Sequence, residues 1–283
     1  WDYNYSDLND EIRNFISIMK DSKDNYKKID IDLLPKLVQN CYSPGNLQKL
    51  ILIRELIRME IKNEYRDLFE IALISTLRQA SGAATGWPYI APKKKIEEKD
   101  GYVTFIKQLN ECFNDLKKTP PNYRSTRSDI IEGDSRKTNL PDNYFDFAFT
   151  SPPYLNNYDY ADRTRLESYF MGYVNSWGEI SDKIRTKLMM SATTQVTRSK
   201  FNVDNIISQI LKDINYNVAV DLQEKVSKLE IIRREKGGKK SYDIMVGQYF
   251  NDMTESLLDT YRVMKEGAKY LLILGDSAPY GVH

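Results

Sequence analysis

Across residues 33–79 the apolar side chains return every three or four positions, the period of a helix with one buried side. In "NLQKLILIRELIRMEIK" they stand at Leu47, Leu50, Ile51, Ile53, Ile57 and Ile61, and the "SPGN" before them offers a stop for one helix and a start for the next. "YRDLFEIALISTLRQAS" follows almost at once with the same period, so a helical pair is expected. "GAATGWPYIAPKKKIEEKDG" reads as a loop carrying a short basic run, and residues 102–117 read as a further helix ended by "TPPNY".

The texture changes at Ser125. Residues 128–132 and 144–150 are short and apolar enough for strands, and each runs into a polar or proline-bearing segment. Near the other end, "QYFNDMTESLLDTYRVMKEGAKYLLILGDS" predicts an amphipathic helix, a stop at Gly267 and an apolar strand, the helix-to-strand unit of a parallel sheet covered on both faces. Between these parts residues 155–247 are mostly helical and polar, with "RREKGGKKS" as a mobile loop.

Composition narrows the picture without deciding it. The 283 residues are 41% apolar, enough for a sizeable core, and 41 Lys and Arg face 40 Asp and Glu. So even a balance excludes a global polyanion signature, and any nucleic-acid surface has to be a local patch. Cys41 and Cys112 are far apart and lack metal-ligand spacing, which predicts a reducing, cytoplasmic setting with no structural zinc. No run of transmembrane length and no signal segment is present, and both ends of the sequence read as cut.

The chemistry concentrates in "FDFAFTSPPYLNNYDYADRTR". In open α/β sheets ligands sit beyond the carboxyl ends of strands, and three candidate strand ends occur here, at "EGDS", "TSPPY" and "LGDS". Two consecutive prolines fix φ and remove backbone donors, leaving carbonyls that only accept. Ser151 and the Pro152 carbonyl, rigidly held by Pro153, form an acceptor pair suited to an exocyclic amine, and Tyr154 offers a flat surface for a base. A rigid strand-exit turn is the bland alternative. Tyr158 and Tyr160 could wall a base pocket or simply pack, "LGDS" fits a structural turn or a pocket rim, and the "PKKK" and "RREKGGKK" runs fit solvated loops better than phosphate contacts.

"FTSPPY" resembles the catalytic motif of the amino-group DNA methyltransferases, and its serine is similar to the cytosine-N4 branch; the adenine-N6 branch more often has aspartate or asparagine there. The likeness extends through "SPPYLNNYDYADRTRLE" and "DTYRVMKEGAKYLLILGDS", and "CYSPGNLQKLILIRELI" resembles a helical segment of some of these enzymes. It implies an α/β, Rossmann-like methyltransferase core with a mostly parallel sheet, a helical N-terminal region and a helical insertion. On that plan residues 1–120 are the helical region, residues 121–154 and 248–283 the core, and residues 155–247 the insertion and a candidate DNA-contacting region. S-adenosylmethionine is the implied donor and double-stranded DNA the implied partner. Asp134 and Thr150 are the implied cofactor-binding residues, and Ser151, Pro152, Pro153 and Tyr154 the catalytic ones, with no metal.

The family's glycine-rich donor loop, Phe-x-Gly-x-Gly, is absent from all 283 residues. It is expected upstream, downstream in a permuted order, or on a partner chain. Without that loop the 283 residues are expected to bind the donor weakly at best. A cytosine-C5 enzyme needs a cysteine after a proline, whereas Cys41 follows Asn40 and Cys112 follows Glu111. An adenine-N6 or RNA amino-methyltransferase, and a non-catalytic recognition subunit that kept the fold, are the readings that compete.

Overall fold

The structure, a computed structural model, describes residues 3–22, 25–86, 90–120 and 127–283, so the expected helix stop at "TPPNY" and the change at Ser125 fall partly or wholly outside them. The chain divides into two compact units, residues 1–129 with 162–180 and residues 130–161 with 181–283.

The first unit is helical. Its α1 (Tyr5–Asp21), α2 (Pro44–Glu60), α3 (Asn63–Gln79) and α4 (Gly101–Lys118) close around Phe15, whose ring meets Phe69 at 5.2 Å and Phe105 at 5.9 Å. Tilted aromatic pairs at that spacing add to the gain from burial alone. All six apolar positions that defined α2 in the sequence are buried, and so are Leu52 and Leu56, so the helix is enclosed on more than one side. Buried Asn46 explains how α2 and α4 keep register. Its amide donates to the carbonyls of Ala80 and Lys99 and its oxygen accepts from Gly101 N–H at 2.8 Å, so both ends of the buried amide are matched. Asp100 caps α4 by accepting from the N–H groups of Tyr102 and Val103.

The segment expected as a loop after α3 contains two short antiparallel strands, β1 (Ala83–Ala84) and β2 (Ala91–Lys95), and the basic run lies on β2. Lys95 donates to the Asn40 carbonyl, which ties the strand down. A further helix of this unit, α5 (Arg165–Met171), is anchored by Arg78, which forms a bidentate pair with Glu167 and donates to the Thr85 carbonyl.

The second unit is α/β. Its helices α6 (Gln209–Ile214), α7 (Tyr216–Glu235) and α8 (Tyr242–Val263) bury Ile207, Leu211, Leu222, Val226, Ile244 and Met245 together. Two parallel strands, β3 (Phe145–Thr150) and β4 (Met264–Leu272), complete it. Three expectations need correction here. Residues 128–132 form no strand: Ile130 and Ile131 are exposed and no described strand runs beside them. Gly267 does not end α8. The helix stops at Val263 because Met264 already pairs with Phe145, and Gly267, at φ +78°, sits in a bulge where the register slips before Phe147 meets Lys269. The "RREKGGKKS" segment is only partly a loop, since Arg233–Glu235 belong to α7 and Arg233 donates to the Gly238 carbonyl at 2.7 Å.

Candidate active site at the carboxyl end of the parallel strands

Because β3 and β4 are parallel, both point their carboxyl ends the same way. The ladder continues one step past β4, where Ile273 N–H donates to the Thr150 carbonyl at 3.0 Å. Thr150 is therefore the last residue held by the sheet, and its own carbonyl is spent on the ladder. Ser151, Pro152, Pro153 and Tyr154 come next as rigid backbone without a helix or strand of its own.

The Ser151 hydroxyl donates to the Tyr154 phenol oxygen at 3.1 Å. This contact spends the serine's single proton and leaves its lone pairs to accept. Across the sheet, Gly275 at the exit of β4 backs the Tyr154 ring: a β-carbon built there would lie 3.3 Å from Cδ2 and 3.5 Å from Cε2. Glycine is thus the residue that lets the ring lie close to the neighbouring backbone. The "LGDS" turn and the "SPPY" turn are two sides of one feature.

Beyond Tyr154 the chain turns back, with Asn156 at φ +60° and Asn157 N–H donating to the Tyr154 carbonyl at 3.2 Å. Tyr158 and Tyr160 then pair at 5.6 Å between ring centres. Burial, followed by the nearness of Tyr158 and Tyr154, pushes the Tyr160 phenol above its ordinary value, so Tyr154 stands near the Tyr158–Tyr160 ring pair.

A residue that sequence reasoning passed over fixes this segment. Asp159 is buried, accepts from Arg185 at 2.8 Å, from the Thr194 hydroxyl at 2.9 Å and from Ala161 N–H at 3.1 Å. The Ser191 hydroxyl adds a bond to the Tyr158 carbonyl at 2.8 Å. The only sequence signal was an acid inside a tyrosine-rich run, which says nothing about a distant arginine. Three contacts, from Arg185, Ser191 and Thr194, hold the stretch just after Tyr154 against residues 185–195, and the Ala161 N–H closes a local turn on Asp159.

Asp134 lies elsewhere. Its carboxylate takes a bidentate pair from Arg136, at 2.8 to 3.2 Å, which holds it below the ordinary carboxylate range. Arg136 also donates to buried Asp252 on α8 at 3.1 Å, and Asp252 accepts from Met190 N–H at 2.8 Å. The turn at Asp134 is therefore pinned to α8, and a polar cleft of about 400 Å³ opens beside Arg136, Arg185 and Lys200. None of the residues 151–154 lines that cleft. The structure joins Thr150, Ser151, Pro152, Pro153 and Tyr154 at one strand end and leaves Asp134 with its arginine.

The cysteines are placed poorly for nucleophilic work. Burial pushes the Cys41 thiol up to about 11, and Cys112 is raised for the same reason. Among the described residues no group of His, Cys, Asp and Glu side chains has a metal-holding arrangement, and no helix is long and apolar enough to cross a membrane.

No protein-family model and no solved structure matches the chain. Curated proteins with detectable similarity include Type II methyltransferase M.AvaI from Nostoc sp. and from Anabaena variabilis, each 29% identical over 240 aligned residues, covering 76% of this chain and 47% of theirs. Type II methyltransferase M.BsoBI from Geobacillus stearothermophilus is 26% identical over 159 aligned residues, covering 50% of this chain and 29% of its own length. Distant homologues of the chain are thus Type II methyltransferases. The chain spans about half the length of the M.AvaI relatives it matches.

Proposed function

We propose that this chain carries the base-binding side of a DNA methyltransferase that modifies the exocyclic N4 amine of cytosine, in a restriction-modification or related defence setting in the cytoplasm. The observation that carries the reading is the arrangement at the end of β3: an acceptor serine, two prolines and a tyrosine backed by Gly275. The similarity to Type II methyltransferases supports the reaction class.

A cytosine inside a duplex is out of reach, so the base is taken from the stack before reaction. Tyr154 then stacks on its ring. The lone pair of the N4 amine is conjugated into the base, and the nitrogen becomes more positive as it takes on a methyl group. Acceptors on its N–H groups favour that change by polarising the amine. Ser151 Oγ and the Pro152 carbonyl are the acceptors, and Pro153 keeps them in place. No covalent enzyme intermediate is involved, in keeping with the two raised thiols.

S-adenosylmethionine is the donor we assign, yet these residues do not build its pocket. Asp134 is occupied by Arg136, the Thr150 carbonyl by the ladder, and no glycine-rich loop exists in the sequence. A non-catalytic recognition subunit is the second reading, favoured by that missing loop.

Nucleoside mass spectrometry on DNA from cells expressing the gene separates the readings. N4-methylcytosine is expected, and it should fall sharply with Ser151→Ala, since a lost hydrogen bond to the reacting group is worth on the order of 1–3 kcal/mol. N6-methyladenine instead would move the activity to the adenine branch, and unmodified DNA would favour the recognition subunit. Gly275→Ala provides a subtler check. The new methyl must displace the Tyr154 ring by a few tenths of an ångström, so methyl transfer should fall several-fold while thermal unfolding of the protein shifts little, as measured by scanning calorimetry.

A further inference from the structure

Residues 233–241 read in the sequence as a solvated basic run, and the structure gives them a fixed shape. Gly237 and Gly238, at φ +79° and +75°, close the end of α7, where their N–H groups donate to the carbonyls of Arg234 and Arg233 at 3.2 and 2.8 Å. With the bond that Arg233 returns to the Gly238 carbonyl, the turn is held without help from its lysines. The charges then sort into two sets. Arg198 and Arg233 are committed to buried Asp243, and Arg234 to Glu230 at 2.6 Å. Lys236, Lys239 and Lys240 are exposed and have no acidic partner among the described residues, and Glu235 is the one other acid in the turn. In a chain whose net charge is only +1, this is a local positive patch.

Two ring contacts give the patch its address. The Lys236 ammonium lies 5.5 Å from the centre of the Tyr280 ring, and Tyr280 meets Tyr242, at the start of α8, edge-on at 4.7 Å. Tyr280 stands five residues after the Gly275 that backs the Tyr154 ring. Five residues reach at most about 18 Å, the length of about five base steps of duplex at ~3.4 Å each. The basic turn therefore belongs to the neighbourhood of the candidate site.

We infer that Lys236, Lys239 and Lys240, at the tip of the α7–α8 hairpin, bind backbone phosphates of the DNA beside the base that lies on Tyr154. The base on Tyr154 rests on the methyltransferase reading; the patch and its distance from Tyr154 rest on the structure alone. Covalent continuity selects the occupant. A base drawn out to Tyr154 stays joined to the phosphates before and after it, so anionic backbone passes within a few nucleotides of these lysines. Lysine serves such a contact as a point charge on a flexible stem, which fixes the position of the duplex without reading its sequence. The lysines on β2 lack any such link to Tyr154, and one of them, Lys95, is tied to the Asn40 carbonyl.

The salt dependence of DNA binding tests the contact without donor or methyl transfer. Fluorescence anisotropy of a labelled duplex between about 50 and 200 mM salt compares the full-length protein with Lys239→Gln/Lys240→Gln, and with Lys93→Gln/Lys94→Gln on β2 as a control of equal charge change. Each phosphate contact adds about 0.9 to the slope of log affinity against log salt. The tip variant should lose about 2 from that slope, so that salt weakens it about 10-fold less than the parent over this range. Lys239→Arg/Lys240→Arg and the β2 control should keep the parent's slope, and thermal unfolding should be the same throughout. An unchanged slope in the tip variant overturns the proposal, and is the result expected if an acidic segment of the protein covers the lysines. An equal loss in the β2 control also overturns it, since net charge alone is then at work. Nucleoside mass spectrometry on DNA from cells expressing the parent protein keeps the two ideas apart: a lowered slope without a methylated base supports the phosphate contact and removes the enzyme, whereas a methylated base with an unchanged slope keeps the enzyme and overturns the contact.

Discussion

Tyr154→Ala is expected to slow methyl transfer by about 10- to 100-fold while leaving the fold nearly intact. A base stacked on an aromatic ring gains about 1–3 kcal/mol, and each 1.4 kcal/mol corresponds to a factor of ten in rate or occupancy. The ring is only half-buried, with the Ser151 hydroxyl, the backbone at Gly275 and Tyr160 among its neighbours. Its removal therefore leaves no deep cavity. Tyr154→Phe separates the two contributions of the side chain. It keeps the stacking surface but deprives Ser151 of the oxygen that takes its proton, so its loss should be smaller than that of the alanine variant. Single-turnover rates with DNA in excess, beside thermal unfolding of each variant, read both quantities.

Asp243→Ala should be the most damaging single change to stability, at about 3–5 kcal/mol. The Asp243 side chain is completely buried at the start of α8. Arg198 grips it with two bonds of 3.0 and 2.8 Å, and Arg233 on α7, whose side chain is only 12% exposed, approaches at 3.5 Å. Removing the carboxylate takes the main acceptor from both arginines beside a core built from Ile244, Met245 and Val226, leaving Arg198 only Glu230 at 3.5 Å and Arg233 the Gly238 carbonyl. Asp243→Asn keeps the shape and one acceptor, so it should be milder. Urea unfolding followed by circular dichroism measures the difference, and a change below about 1 kcal/mol for the alanine variant would mean that the arginines find water or other partners at little cost.

What the sequence disclosed followed the strength of its periodicity. Helices α2, α3 and α4 were legible because Leu47, Leu50, Ile57 and their neighbours repeat at helical spacing over several turns. Helix α1 passed unnoticed, although Leu8, Ile12, Phe15 and Met19 repeat in the same way and Asn4 caps it, because charged residues dilute the stripe. Strand β3 was legible from an apolar run ending in prolines. Residues 128–132 have a similar composition, but a strand forms only where another strand offers its backbone, and composition carries no information about that neighbour. Gly267 shows the same limit: a glycine after a helix signals a stop, and here pairing between Met264 and Phe145 had already ended the helix. At the candidate site the local tetrapeptide was visible and the long-range supports were not. Gly275 behind Tyr154, Arg185 on Asp159 and Arg136 on Asp134 each join residues whose relation exists only after folding.

The central claim is that the target cytosine lies on Tyr154 at the end of β3. Photocrosslinking tests it most directly. Once the modified position has been mapped by sequencing cellular DNA, a duplex carrying 5-iodocytosine there is irradiated with the native protein, and the adduct is located by peptide mass spectrometry. The account predicts attachment at Tyr154, lost in Tyr154→Ala. Attachment in the cleft beside Arg136, or on the helical unit of residues 1–129, with Tyr154 unmodified, would contradict it.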